Sequence, residues 1–220
     1  MLDVIDSWSE QFSGNYSGEA WHPYNVSERI INLIVFWQAS SPLKSKLYKK
    51  NFLQFIQSQA IFLAGQLEYP ASGIINNHIL NNARALYISG QFLQNQSITN
   101  LGCELFKTHL PLMVGSGGYL LEASSHYHML LTKNILEVKK IAKETNDDEF
   151  LLFLNPILKK MLASAQNLIP LDLCNLQDMP RIGDIFFHIH SFDYFSIARY
   201  HLYFFHGGNI DFINLFQLFF

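Results

Sequence analysis

The sequence predicts an all-α chain built from antiparallel helix pairs. Apolar residues recur at three- and four-residue spacing up to about residue 165. Pro, Gly and Asn interrupt that pattern every one to two dozen residues. No stretch shows the period-two alternation of a half-buried strand. Short connections between helices of this length bring sequence neighbours together side by side and antiparallel.

The elements follow in order. Asn25-Val26-Ser27-Glu28 reads as a helix start, with Asn25 as N-cap and Glu28 three residues on. Ile30, Leu33, Ile34 and Trp37 then form one apolar stripe, and Pro42 closes the region. A second helix fits Leu43 to Leu67 and breaks at Pro70 and Gly73. A third runs from about Asn77 to Ser89 and ends at Gly90; a fourth runs from about Ile98 to Leu110, before Pro111. The glycine-rich loop Val114-Gly115-Ser116-Gly117-Gly118 leads into a fifth, about Glu122 to Lys143. The polar run Thr145 to Asp148 caps the last, about Glu149 to Ala165.

Composition sets limits on function. Charged residues are 15% of the chain, against roughly 25% in ordinary soluble domains. A net charge of −3 gives no electrostatic footprint for nucleic acid. No run approaches the ~18 continuous apolar residues of a transmembrane helix, and Met1 is followed by acidic residues rather than a secretory signal. Cys103 and Cys174 are too few for a disulfide framework and read as buried thiols. No nucleotide-binding or nucleophile-elbow motif is present, and nothing calls for a cofactor or metal.

Composition changes after Asp184. More than a third of residues 185–220 are aromatic, with neither helical nor strand period. The chain therefore divides into a helical domain, 1–184, and an aromatic-rich tail, 185–220. The tail reads as a membrane- or partner-binding segment, as the final helices, or as the product of a shifted frame or truncated gene; the last is favoured. His188 and His190 have the H-x-H spacing of metal ligands but lie in that tail.

Two stretches carry candidate chemistry. Glu122-Ala123-Ser124-Ser125-His126-Tyr127-His128 holds a phenol between two imidazoles, near a carboxylate. Asn76-Asn77-His78 sets an amide and an imidazole at a helix start, where backbone N–H groups favour an anion. Together they can move a proton and neutralise a carboxylate. The plainer readings are a packed tyrosine at Tyr127, an N-cap at Asn76 or Asn77, and a surface arginine at Arg84. Glu122 reads either as the partner of Arg29 in a buried ion pair or as an acid at its own helix start. Trp21-His22-Pro23-Tyr24 reads as a packed loop rather than a sugar platform.

At these residues the chain resembles the heparinase II/III family of polysaccharide lyases. Trp21 to Asn32 resembles the family's early helix with its Ser-x-Arg, here Ser27 and Arg29. Asn77-His78 with Ala85-Leu86 resembles its Asn-His…Ala-Leu helix. Gly117-Gly118 through Glu122-x-Ser124-x-x-Tyr127-His128 resembles its most specific signature. The likeness covers roughly residues 10 to 165.

The resemblance implies an incomplete (α/α) toroid of helix pairs that cleaves a uronate-containing polysaccharide by β-elimination. It implies Tyr127 and His128 as catalytic residues, with Tyr127 the acid/base. It implies Asn77, His78, Arg29 and Glu122 as substrate-binding. Members are longer, with a C-terminal β-sandwich, and act in the periplasm or cell envelope, so the resemblance implies a fragment lacking that sandwich. The competing expectation is a non-catalytic carbohydrate-binding or interaction module on the same scaffold.

Overall fold

The computed structural model describes residues 2–12, 16–39, 46–69, 76–168 and 182–183. The aromatic tail from residue 185, with His188 and His190, and also Cys174, lie outside the described residues. Seven α-helices are described: α1 (Leu2–Phe12), α2 (Pro23–Ala39), α3 (Lys46–Gly65), α4 (Asn77–Leu93), α5 (Gln96–Met113), α6 (Ser125–Glu144) and α7 (Asp148–Gln166). A single 3-10 turn, Glu19–Trp21, precedes α2. The one β-contact among the described residues is an isolated bridge, Val114 with Leu120. The chain is thus all-α, as its apolar period requires.

The helices fall into two compact units. One holds the described residues up to 69 together with His78–Phe106; the other holds residues 76–77 and the described residues from Lys107 onward. In the first unit α2 and α3 run antiparallel, as two contacts show. Arg29 meets Gln59, and Trp37 stacks on Phe52 with ring centroids 4.3 Å apart. The buried stripe of α2 is Val26, Ile30, Ile31 and Ile34. Helix α3 packs against α2, and its Phe52, Ile56, Ala60 and Leu63 are likewise buried.

The α2 start corrects the capping-box expectation. The helix begins at Pro23, whose fixed φ and missing N–H suit the first helical position. Asn25 already lies inside and donates its side-chain amide to the Glu19 carbonyl (2.8 Å).

Helices α4 and α5 pack more closely than the sequence suggests. A Cβ at Gly102 would lie 2.5 Å from the Tyr87 backbone nitrogen, and one at Gly90 2.5 Å from that of Thr99. This reversed pairing, 87 with 102 and 90 with 99, marks an antiparallel pair whose backbones touch. It explains why Gly90 does not end α4, which runs on to Leu93. The glycine is a contact point, not a stop. Pro111 likewise lies inside α5. Proline deletes one amide donor, and buried Leu110 and Met113 on either side hold the last turn in place.

Arg84 corrects the surface expectation. It is 4% exposed and donates through Nη1 to Glu28 Oε1 (2.9 Å) and Asn81 Oδ1 (2.9 Å). A buried guanidinium needs a countercharge such as Glu28, because a buried charge that loses its ion-pair partner is costly. Asn82, also buried, donates to Ser27 Oγ (3.0 Å). Cys103, expected as a buried thiol, is half-buried.

In the second unit α6 and α7 form an antiparallel pair joined by Thr145-Asn146-Asp147. Asp147 caps α7 by accepting from the Phe150 N–H (3.2 Å). Met129, Ile135, Val138, Phe150, Leu154 and Met161 are buried along this unit.

The close α4–α5 approach yields a test. Gly102→Ala forces a methyl into the Tyr87 backbone and should lower stability by about 1–3 kcal/mol. Gly65→Ala, with nothing within 4 Å, should stay within about 0.5 kcal/mol. Thermal unfolding followed by circular dichroism measures both, and equal midpoints would refute the backbone contact.

Candidate functional site

Glu122 and Asn77, one from each motif stretch, meet within the second unit. Glu122 is not on α6 but on the preceding turn, and its carboxylate clasps Asn77. One oxygen accepts from the Asn77 backbone N–H and the other from its side-chain Nδ2 (2.7 Å). A carboxylate suits the open N–H groups at a helix start, with the dipole adding to the attraction. Glu122 thus does act at a helix start, but at that of α4 rather than its own. Asn77 is 9% exposed, so the clasp sits in partly dry surroundings where charge-assisted bonds are stronger.

The expected Arg29–Glu122 ion pair is replaced by separate partnerships. In the first unit Arg29 donates through Nε and Nη2 to Gln59 Oε1 (3.0 and 2.6 Å) and through Nη1 to the Ala20 carbonyl (2.8 Å). Its guanidinium lies 4.3 Å from the centre of the Trp8 ring. Burial pushes Arg29 down to about 10, which leaves it charged at neutral pH. The π face of Trp8 and the carbonyl oxygens compensate that charge without a carboxylate. Trp21, from the loop read as packed, is 6% exposed beside this cluster.

Tyr127 stands at the start of α6. Ser124 is the N-cap and accepts from the Tyr127 N–H (3.1 Å), which fixes the backbone of the tyrosine. The Tyr127 ring is half-buried and lies 5.3 Å from the buried His126 ring at 55°. Ser125 is tied to Ile182: the Ser125 N–H donates to the Ile182 carbonyl (3.0 Å), and the Ile182 N–H donates to Ser125 Oγ (3.1 Å). Ala123 has φ +54°, a left-handed conformation uncommon for a residue with a Cβ. That strain sits between the clasp and the tyrosine.

His128 points into the second unit and is 2% exposed. The Leu120 N–H donates to its Nδ1 (3.3 Å), and its Nε2 meets the Met161 carbonyl (3.1 Å). An amide N–H only donates and a carbonyl only accepts, so the ring is neutral with its proton on Nε2. Burial lowers its proton affinity, outweighing the opposite effect of the Met161 carbonyl. Ser164 Oγ–H donates to the Gly118 carbonyl (3.0 Å). Gly118 has φ +86°, and a Cβ there would strike the Lys160 carbonyl. The glycine-rich loop is therefore fastened to α7 just ahead of Glu122.

His78 belongs to the first unit and has partners that the sequence did not suggest. Its Nδ1 lies 2.7 Å from Glu68 Oε1, and His22 Nε2 lies 3.6 Å from the same oxygen. The Tyr24 ring lies 5.0 Å from the His78 ring at 48°. Burial raises the proton affinity of Glu68, but the hydrogen bond and charge of His78 and the charge of His22 outweigh it, so the carboxyl is held below its ordinary range. Glu68 could not be found from spacing, because it reaches His78 across an inter-helix connection of no regular period. Among the described residues no cluster of three His, Cys, Asp or Glu side chains could hold a metal ion. No helix among them is long and apolar enough to cross a membrane.

The described residues form antiparallel helix pairs, with an Asn-His helix start and a Glu-x-Ser-x-x-Tyr-His turn. The chain belongs to the heparinase II/III family: it matches Heparinase II/III N-terminus over residues 3–205, a span that runs into the aromatic tail. Solved structures share its fold. A heparan sulfate lyase HepC from Pedobacter heparinus superposes with TM-score 0.60 at 19% identity over 77% of this chain and 28% of that one. A mutant of HepC gives 0.63 at 19% identity over 92% and 32%. Heparinase III gives 0.62 at 21% identity over 77% and 28%. The likeness is one of fold, that of the helical toroid domain, and this chain spans about a third of their length or less. No curated protein sequence matches it.

The His128 geometry predicts an acid response. The unfolded chain binds a proton at His128 below about pH 6.5. The folded chain, with its proton affinity lowered, binds it only at lower pH. The unfolded state therefore holds more protons in that window, and stability falls as pH falls through it. His128→Asn should flatten the dependence of the thermal midpoint between about pH 6.5 and 5. An unchanged slope would mean that His128 is not the titrating group.

Proposed function

We propose that this chain forms part of the active site of a polysaccharide lyase that cleaves a uronate-containing polymer by β-elimination. The observation that carries the reading is the Glu122–Asn77 clasp, which joins two motif stretches 45 residues apart. Membership of the family and the fold of heparan sulfate lyases support it.

In this reading Asn77 pairs the C6 carboxylate of the uronate. The clasp uses one amide hydrogen of Asn77 Nδ2, and in this reading the second donates to the substrate. Pairing the carboxylate acidifies the C5 proton. Tyr127 then acts as base and acid: it takes the C5 proton, the C–H electrons form the C4–C5 double bond, the C4–O4 bond breaks, and O4 is protonated as it leaves. His128, engaged at both nitrogens, acts by holding the loop before Glu122 in place rather than by moving a proton. Arg29 acts on the fold in the same way, its donors engaged by Gln59 and Ala20. A β-sandwich domain would complete the site in the whole protein, as the family resemblance implies.

The test is the ultraviolet absorbance of the unsaturated product on incubation with uronate polymers, a heparan-like polymer first. Tyr127→Phe should lower the rate at least about a hundredfold with the helical fold intact. Full activity in that variant removes Tyr127 from the mechanism. Binding of the polymer without any turnover in the parent chain would point to a carbohydrate-binding module instead.

Glu122→Ala supplies a second prediction. It leaves the Asn77 N–H and amide without their acceptors and should cost about 1–3 kcal/mol of stability, together with the polymer affinity that Asn77 provides. A variant that binds the polymer as the parent does would detach Asn77 from recognition.

A further inference from the structure

We propose that Ile182 and Gly183 form a strap that sets the backbone position of Tyr127, which makes them positioning residues for the proton transfer assigned to that phenol. The role in proton transfer rests on the lyase reading. The hold on the start of α6 stands on geometry within the second unit.

The first turn of α6 is fastened at Ser125 to chain 57 residues further on. The Ser125 N–H donates to the Ile182 carbonyl (3.0 Å), and the Ile182 N–H donates back to Ser125 Oγ (3.1 Å). Two bonds running in opposite senses fix orientation as well as distance. The first of them also satisfies one of the open N–H groups of a helix start. Ser125 is buried, so both bonds lie where such bonds are stronger than in water. Ile182 contributes its main chain only, and its side chain is 51% exposed.

Gly183 adds a contact that no other residue could make. It has φ +75°, and a Cβ there would strike the Ala123 carbonyl. A side chain is thus opposed by backbone conformation and by space. Ala123 is itself left-handed, at φ +54°. A residue with a Cβ persists in that region only where its surroundings hold it, and such residues cluster at functional sites. Gly183 packs on the carbonyl of this residue, four positions ahead of Tyr127.

The strap completes a set of anchors. Ser164 and Lys160 hold the same turn at Gly118. The Ser124 cap sets the shape of the first helical turn, and His128 ties it to the Met161 carbonyl of α7. Tyr127 therefore lies between two anchors, Ser125 on the strap and His128 on α7. The span matched by the family, residues 3–205, includes the strap.

The experiment uses the full chain and reads two quantities: hydrogen exchange of the Ser125 and Tyr127 amides, and steady-state elimination on a uronate polymer. In Gly183→Ala both amides should exchange about tenfold faster or more, with those of Leu158 and Met161 in α7 unchanged. The kcat should fall about tenfold or more, because small misplacements of a reacting group are costly. The KM should stay within about threefold, since Asn77 keeps its clasp. Ser125→Ala removes the acceptor of the Ile182 N–H and should act in the same direction, and it carries the comparison if Gly183→Ala does not fold. Ser125→Thr keeps the hydroxyl and should restore both readouts. Ile182→Ala keeps both main-chain bonds and should keep the amide protection. A role in stability alone would lower the thermal midpoint without separating kcat from KM. Parent-like exchange at Tyr127 in the Gly183 and Ser125 variants overturns the proposal, and so does faster exchange with kcat unchanged. Faster exchange in variants of a parent chain that turns over no uronate polymer upholds the hold on α6 and overturns the lyase reading instead.

Discussion

A helix that begins inside a protein must find acceptors for its first backbone N–H groups, and this chain's candidate chemistry is arranged around that demand. Ser124 answers it for α6, Asp147 for α7 and the Asn95 side chain for the Ile98 N–H of α5. For Asn77 the answer is a carboxylate drawn from 45 residues away. The first three are local and inexpensive. The fourth closes a long loop and fixes the backbone of one motif through the side chain of another. Tyr127 and Asn77 both owe their backbone positions to such a cap, so the groups proposed to act on substrate sit where the fold is already constrained.

The same economy governs the scarce charges. With charged residues at 15% of the chain, buried Arg84 and half-buried Arg29 each have assigned partners. Arg84 has Glu28 and Asn81; Arg29 has Gln59, a carbonyl and an indole face. The two arginines solve one problem in two ways. Arg84 uses an opposite charge, which must be kept once buried. Arg29 uses dipoles and a π face, and its proton affinity falls because desolvation is not offset by a full charge. Histidine divides similarly. His128 is inside and neutral, a strut for the loop, whereas His78 is nearer solvent beside an ionised carboxylate.

Much of the fold was legible in the residues. Six helical segments were expected, and each is present within a few residues of its expected bounds. The two motif stretches were read as one constellation, and Glu122 with Asn77 joins them. The misses have physical causes. Gly90 and Pro111 were read as stops because intrinsic preference favours termination there, but packing of α4 on α5 rewards a glycine where backbones touch and carries the helix through the proline. Arg84 was read as a surface residue because arginine is seldom buried, and no local pattern signals that Glu28 waits 56 residues upstream. Glu68 was invisible for the same reason.

What the sequence alone determined is the class of structure and the chemistry on offer: apolar spacing specifies helices, and Asn, His, Glu and Tyr at two helix starts supply groups capable of proton transfer and anion pairing. Those properties are local, since a helix depends on residues three and four apart and a side chain carries its own acid–base character. The tertiary structure decided pairing. It chose Asn77 over Arg29 for Glu122, gave Glu68 to His78, and turned His128 inward. Each choice depends on which groups are brought together and desolvated at once, and that is set by long-range packing rather than by any window of sequence.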